Sequence, residues 1–412
     1  MFYYDWNGRI CVSSAKDLPY PKINAPEKAE TLYYLFDRPM QNSRASFSPT
    51  CTGQLLAASE DASALNRNAL PREEPDPFLT RMIAENKVRA VNLRHPRFEE
   101  LLAAAPERRK ARINILALGD VGGTLLTGLR LMGSDVVESI GICDLSQAMA
   151  QRWEIEANQI NYPWDYDTLP PVKIVAPEDI FDCDLFVFVA SKGIPPVGSG
   201  VKDVRMAQFE TNRKIAEHYA RLAREKHFKG LWCQVSDPID PLAKSAYLAS
   251  NTDENGHFDG MGLLPEQIQG FGLGVMNARA AYYAKKDERF ARFLTEGRAF
   301  GPHGKELVIA DSIQHYNDSL SRELTEQVVK ANLVVRELGF KPYVAPAMSS
   351  GAISLLLTLR GEWHYGSVFL GGAFMGCKTR LTALGQQTEC LPLPAELYAR
   401  IQAAESALHA IV

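Results

Sequence analysis

Between residues 112 and 144 the chain carries glycines and a carboxylate at the spacing that a bound dinucleotide requires. Arg112-Ile-Asn-Ile-Leu-Ala-Leu-Gly-Asp-Val-Gly-Gly-Thr reads as an apolar strand running into a glycine turn and a helix. Ile140-Gly-Ile-Cys-Asp144 then reads as a second apolar strand ending in an acid. Gly119 lets backbone approach a pyrophosphate, and Gly122 lets the helix lie close to the sheet. The helix N-terminus, with Asp120 and Val121 in its first turn, turns unpaired N–H groups and a positive dipole end toward the phosphates. Asp144 is placed to bond a ribose 2′-OH and would repel a 2′-phosphate, which favours NAD over NADP as the cofactor. The first glycine position of this fingerprint holds Ala117. A glycine turn alone is also how many ordinary strands enter helices; the flanking apolar runs and the terminal acid point to the dinucleotide.

The elements that must position these residues follow from periodicity. A helix is expected over Ser146 to Gln159, a strand over Val172 to Val175, and another over Asp184 to Ala190. A long polar loop precedes a helix from about Arg205 to Lys226, and Gly230 to Ser236 is a further strand. Near-continuous apolar strands alternating with helices predict an α/β fold with a doubly wound parallel sheet. Three regions result: an N-terminal extension or small appended domain over 1–109, a Rossmann domain over 110–250, and an α+β substrate domain over 251–412. In the first, Asn7-Gly8 marks a hairpin turn. Residues 40–75 are loop-like in composition, and Phe78 to Asn86 and Pro96 to Ala105 are helical. An oligomerisation arm is one use for that region.

Bulk properties narrow the partners. The chain has 412 residues, 46% hydrophobic and 23% charged, with a net charge of −4. That balance gives no electrostatic case for nucleic acid or an anionic membrane. No apolar run approaches the roughly 18–20 residues of a membrane-spanning helix, and Met1-Phe-Tyr-Tyr-Asp-Trp lacks the form of a signal peptide. The seven cysteines (Cys11, Cys51, Cys143, Cys183, Cys233, Cys377, Cys390) are scattered, so buried reduced thiols in the cytoplasm are expected rather than disulfides or zinc. The eight histidines form no ligand cluster either, and no metal is expected.

From Arg112 onward the order of motifs resembles the lactate/malate dehydrogenase superfamily. Val189-Ala190-Ser191 is similar to the strand end that contacts the adenosine side of NAD there. Arg205-Met-Ala-Gln-Phe-Glu-Thr-Asn212 resembles the segment at the base of the family's mobile loop. Ser236-Asp237-Pro238-Ile239-Asp240 resembles its Ser-Asn-Pro-Val-Asp strand end. Further on, Leu264-Pro-Glu-Gln-Ile-Gln-Gly-Phe-Gly, Val275-Met-Asn-Ala-Arg279 and Gly301-Pro-His303-Gly-Lys305 fall where the family has related runs.

The resemblance implies a division of labour. Arg279 would pair bidentately with a substrate carboxylate. His303 would act as general acid toward the developing alkoxide, and as base in reverse. Arg205 would polarise the carbonyl when the loop closes. Asn212, with Ala190 and Ser236 at the strand ends, would contact the cofactor, and Ser349 would line the pocket or cap a helix. A homodimer or homotetramer is also implied.

Three departures fall within the chemistry. The aspartate that orients the catalytic histidine is replaced by Met276, and the asparagine after Ser236 is Asp237. Asp237 is therefore a candidate to replace the missing histidine partner. The loop from Ala190 to Arg205 is longer than usual, with Lys192 and Lys202 its only cations. A second substrate carboxylate has no evident partner, which argues against malate. The sequence thus points to an NAD-dependent oxidoreductase of a small 2-hydroxy or 2-oxo acid. The alternative is a catalytically silent NAD(H)-binding protein of the same fold. An NAD-dependent glycoside hydrolase would need a metal-ligand pair that the sequence does not display.

Overall fold

The computed structural model describes residues 1–72, 76–104, 109–192 and 204–412, without the side chains of 204–207. Two large sheets organise it. The first is built from residues 2–92 and has six strands in the order Lys22–Ile23, Phe2–Trp6, Arg9–Ser13, Leu32–Phe36, Val88–Asn92, Ser46–Phe47. Its opening hairpin turns at Asn7 and Gly8, both at positive φ (50° and 80°), as a two-residue turn matched to strand twist requires. Leu32–Phe36 is buried at every position because both faces of the sheet are covered. Leu79, Met82 and Ile83 of the helix Pro77–Ala84 cover one face, and Leu101 and Leu102 of the helix Phe98–Ala103 cover the other.

The stretch expected to be loop-like, 40–75, is irregular but not solvated. It holds the strand Ser46–Phe47, the short helix Thr52–Leu56 and 3-10 turns at Met40–Asn42 and Ala62–Leu65. Its polar side chains satisfy backbone inside the protein. Buried Glu60 pairs with buried Arg44, and Gln54 donates to Ala64 O. Glu266 accepts the N–H groups of Ala45 and Ser46 at 3.0 and 2.7 Å, fastening this segment to the rest of the chain. A polar composition reads as surface unless the partners of each group are known.

The second sheet has nine strands. Six are parallel, in the order Ile268–Gly270, Leu231–Gln234, Leu185–Phe188, Ala111–Leu116, Val137–Cys143, Val172–Ile174. Numbered along the chain this is 6-5-4-1-2-3, the doubly wound order whose reversal lies between Ala111–Leu116 and Leu185–Phe188. The sheet runs on past residue 250. Antiparallel strands His364–Leu370, Ala373–Thr382 and Gly385–Thr388 continue it beyond Ile268–Gly270.

Helices cover both faces, which explains the uninterrupted apolar strands. Asp120–Met132 and Gln147–Asn158 pack on one side through Leu125, Leu126, Leu129, Ala150 and Ala157. Val204–Glu225 and Ile239–Ser250 pack on the other through Phe209, Ala216, Ala220, Leu242 and Ala246. Among the described residues no helix is long and apolar enough to cross a membrane.

Candidate functional site

The crevice at the strand-order reversal is the place where such sheets bind ligands. There the strand Ala111–Leu116 leaves the sheet through Ala117, whose φ of 78° is the left-handed conformation that the missing glycine would adopt freely. The turn is pinned: Ala117 N donates to Cys143 O at 2.8 Å and Leu118 N to Asp144 Oδ2 at 2.7 Å. A Cβ on Gly122 would collide with Ala117 O, so glycine is obligatory for this close approach. A Cβ on Gly119 would meet nothing within 4 Å.

Gly119 also caps the helix Asp120–Met132 without a side-chain hydrogen bond, so its own side of the first turn is left open. That combination of an open glycine face and an uncapped helix N-terminus fits a pyrophosphate. Asp144 spends one lone pair per oxygen on the N–H groups of Leu118 and Ser146, and each oxygen retains another for a ribose hydroxyl. The Asp120 side chain takes a different course, forming a 2.8 Å ion pair with Lys341.

Two residues expected at the cofactor, Asn212 and Ser236, tie strand ends together. Ser236 Oγ donates to Ala190 O at 2.7 Å. Asn212 is fully buried: its Nδ2 donates to Asp237 O at 2.9 Å and to Ser191 Oγ at 3.0 Å, and its Oδ1 accepts Lys192 N at 2.9 Å. Both side chains satisfy strand-end backbone from within the protein, which is why polar residues are tolerated there. They hold the Ala190 and Asp237 segments together across the mouth of the sheet. Arg205 lies in the first turn of the helix Val204–Glu225, and its side chain is outside the described residues. Lys202 and most of the loop before it are also outside them.

The acid–base candidates converge. His303 Nδ1 lies 3.7 Å from Asp237 Oδ1, with the imidazole 17% and the carboxylate 51% exposed. Arg279 projects half-buried from the helix Leu273–Ala284, its charge felt by both Asp237 and Tyr283. Burial lowers its guanidinium affinity for a proton, an effect those two groups oppose. Met276, at the position where an orienting aspartate was expected, is buried, with Sδ 3.5 Å from Arg279 Nη1. It supports Arg279 and offers His303 nothing.

Ser349 sits on a π-helical segment, Pro346–Ile353, pressed against the start of the Arg279 helix; a Cβ on Gly274 would come within 2.6 Å of Ser349 O. The capping role belongs to its neighbour. Ser350 Oγ accepts Val275 N and donates to Gly272 O, both at 2.8 Å.

Sequence reasoning missed three participants. Asp240, wholly buried, approaches the Ser367 hydroxyl and the His303 backbone N–H, and burial pushes its carboxyl up to about 7. Asp237 adds to that rise. An acid two residues after Pro238, on an otherwise apolar helix start, was the available clue. Ser350 was hidden beside Ser349. Lys341 had no clue at all, because its link to Asp120 spans most of the chain.

No family model matches the sequence, and no curated protein does. Solved structures do match. A lactate dehydrogenase from a Medee basin deep-sea metagenome library superposes with a TM-score of 0.59 at 17% identity, over 74% of this chain and 98% of its own. The minor L-lactate dehydrogenase of Enterococcus mundtii gives 0.59 at 17%, over 73% and 97%. The malate dehydrogenase of Picrophilus torridus gives 0.58 at 16%, over 74% and 96%. The chain has the fold of the lactate and malate dehydrogenases. That dehydrogenase fold accounts for nearly the full length of each matched structure and leaves about a quarter of this chain over.

Proposed function

We propose that the chain is an NAD-dependent oxidoreductase acting on a small 2-hydroxy or 2-oxo acid. One observation carries the reading: His303 Nδ1 lies 3.7 Å from Asp237 Oδ1, within the electrostatic reach of Arg279, on a segment that Asn212 ties to the end of the strand beside the order reversal. Arg279 stays cationic despite its burial and offers a planar fork to the substrate carboxylate. Asp237, with Oδ1 3.7 Å from Nδ1, would fix the tautomer of His303 on closing to hydrogen-bond distance and leave Nε2 to work on the substrate. His303 then donates a proton to the ketone oxygen as negative charge develops there, and withdraws it in the opposite direction. Arg205, at the start of its helix, would polarise the same oxygen.

Asp144 and the N-terminus of Asp120–Met132 would hold the NAD ribose and phosphates. Bound NAD supplies the hydride acceptor or donor at its nicotinamide ring. The carboxylate at Asp144 disfavours a 2′-phosphate, which supports NAD over NADP. Substitution His303→Asn should abolish turnover of 2-oxo acids while leaving NADH binding, followed by fluorescence, intact. Unchanged turnover would remove His303 from the mechanism.

A second reading, a silent NAD(H)-binding protein, is favoured by Met276 occupying the position of an orienting carboxylate. It requires NADH binding without consumption by any 2-oxo acid in a panel, and steady oxidation by one of them eliminates it.

A further inference from the structure

Away from the crevice, the segments around Cys51 and Cys390 are laced together. Thr50 Oγ1 donates to Thr388 O at 2.9 Å, and Gln54 Nε2 donates to Thr388 Oγ1 at 3.2 Å. Arg67 N donates to Leu391 O at 2.8 Å and Leu391 N to Leu65 O at 3.1 Å. Arg67 also reaches Cys390 O with Nη2 at 3.2 Å. These bonds fix two thiols from opposite ends of the chain against each other. Cys51 and Cys390 pack together with Ala57 and Leu70 in one small apolar cluster.

We propose that Cys51 and Cys390 form a hydroperoxide-responsive dithiol, closing reversibly to a disulfide that ties the N-terminal segment to the C-terminal one. The chemical environments of the two thiols differ in the way such a pair needs. The Cys390 thiol, the Gln54 and Gly53 N–H groups and the Arg67 charge all stabilise a thiolate at Cys51, against the cost of burial, and hold it well below the usual thiol range. Cys390 moves in the opposite direction, raised by the adjacent Cys51 and by burial. Cys51 is only partly buried and Cys390 almost wholly so, which favours Cys51 as the attacking residue. Burial raises the other five, Cys11, Cys143, Cys183, Cys233 and Cys377, away from the reactive form.

The steps balance. The Cys51 thiolate attacks one oxygen of a hydroperoxide; an S–O bond forms as the O–O bond breaks, and the leaving alkoxide or hydroxide takes a proton from water. Cys51 is now a sulfenic acid, oxidised by two electrons. Cys390 attacks it: the S–S bond forms, the S–O bond breaks, and the departing hydroxyl takes the Cys390 proton to leave as water. A dithiol reductant reverses the change.

The test is made on the full chain, reduced and then exposed to graded hydrogen peroxide. Free thiols are blocked and peptides analysed by mass spectrometry. A Cys51–Cys390 linked peptide, two hydrogens lighter, should appear at a peroxide dose roughly tenfold below that oxidising any other cysteine, and should vanish with dithiothreitol. With Cys390→Ser, Cys51 should accumulate as a sulfenic acid captured by dimedone. The proposal is overturned if the wild-type chain forms no such linkage, or if the five other cysteines oxidise at the same dose. Those wild-type outcomes decide the matter whether or not the variant folds.

Discussion

Asp237 presents Oδ1 to His303 Nδ1 at 3.7 Å while half of its side chain stays open to solvent. A carboxylate there can accept from Nδ1–H and stabilise the imidazolium, the service that Met276 cannot perform. Asp237→Asn keeps the shape and removes the charge. If Asp237 is the partner of His303, kcat should fall roughly 10²- to 10⁴-fold, the range known for lost acid–base help and wrong tautomers. NADH affinity should hold within a factor of about two. Steady-state kinetics with parallel NADH titration measure both; a rise in kcat would show instead that the carboxylate hinders the reaction.

Asp240 should imprint a pH dependence on stability. Its carboxyl is raised to about 7 in the folded chain by burial, with the neighbouring Asp237 adding to the rise and the nearby Ser367 hydroxyl and His303 N–H opposing it. Between the ordinary carboxylate range and pH 7 the folded state therefore holds a proton that the unfolded state has released. Stability is greatest below that window and declines as pH rises through it, by a few kcal/mol at most. Above 7 the loss is complete. Glu405 is raised to about 7 as well, so the wild-type slope is shared. Thermal unfolding of Asp240→Asn between pH 5 and 8 should show a visibly shallower decline than the wild type, and equal slopes would reject the assignment.

The parallel sheet was legible because its strands are apolar runs between helices of clear period. The candidates His303 and Arg279 were suggested by motif order, and Asp237 by its departure from that pattern. Other features were hidden for physical reasons. Asn212 and Ser236 have the residue types of ligand contacts, yet they also tie strand ends together, and sequence does not display hydrogen-bond partners. The burial of Arg44, Gln54 and Glu60 depends on Gln386 and Thr388 from the far end of the chain. Such non-local pairing leaves no periodicity to read.

Ala117 looks like a defect in the glycine fingerprint, and the structure shows the backbone adopting the glycine conformation regardless, at φ 78°. An L-residue held there costs about 1–2 kcal/mol. Ala117→Gly should therefore raise stability by about 1 kcal/mol, with part of the gain offset by the freer unfolded chain. Gly122→Ala should do the reverse, because its Cβ meets Ala117 O, and should also abolish NADH binding. Urea midpoints and fluorescence titration of the two single variants check both expectations.

Lys341 and Asp120 form an exposed ion pair, 2.8 Å apart, at the N-terminus of the helix that would face the phosphates of a bound dinucleotide. Asp120 sits in the first helical turn, where a negative side chain stabilises the helix but competes with a phosphate for the same N–H groups and dipole. Lys341 offsets that charge. Removing it by Lys341→Ala should weaken NADH binding about two- to fivefold, as one partly screened charge near a helix end implies. Asp120→Asn should strengthen binding by a similar factor. The two effects should shrink together as salt is raised from 0.05 to about 0.5 M, because exposed charges are screened over that range. Calorimetric titration with NADH at the two salt concentrations tests the pair; opposite-signed changes that ignore salt would mean that the variants act through local structure and not through charge.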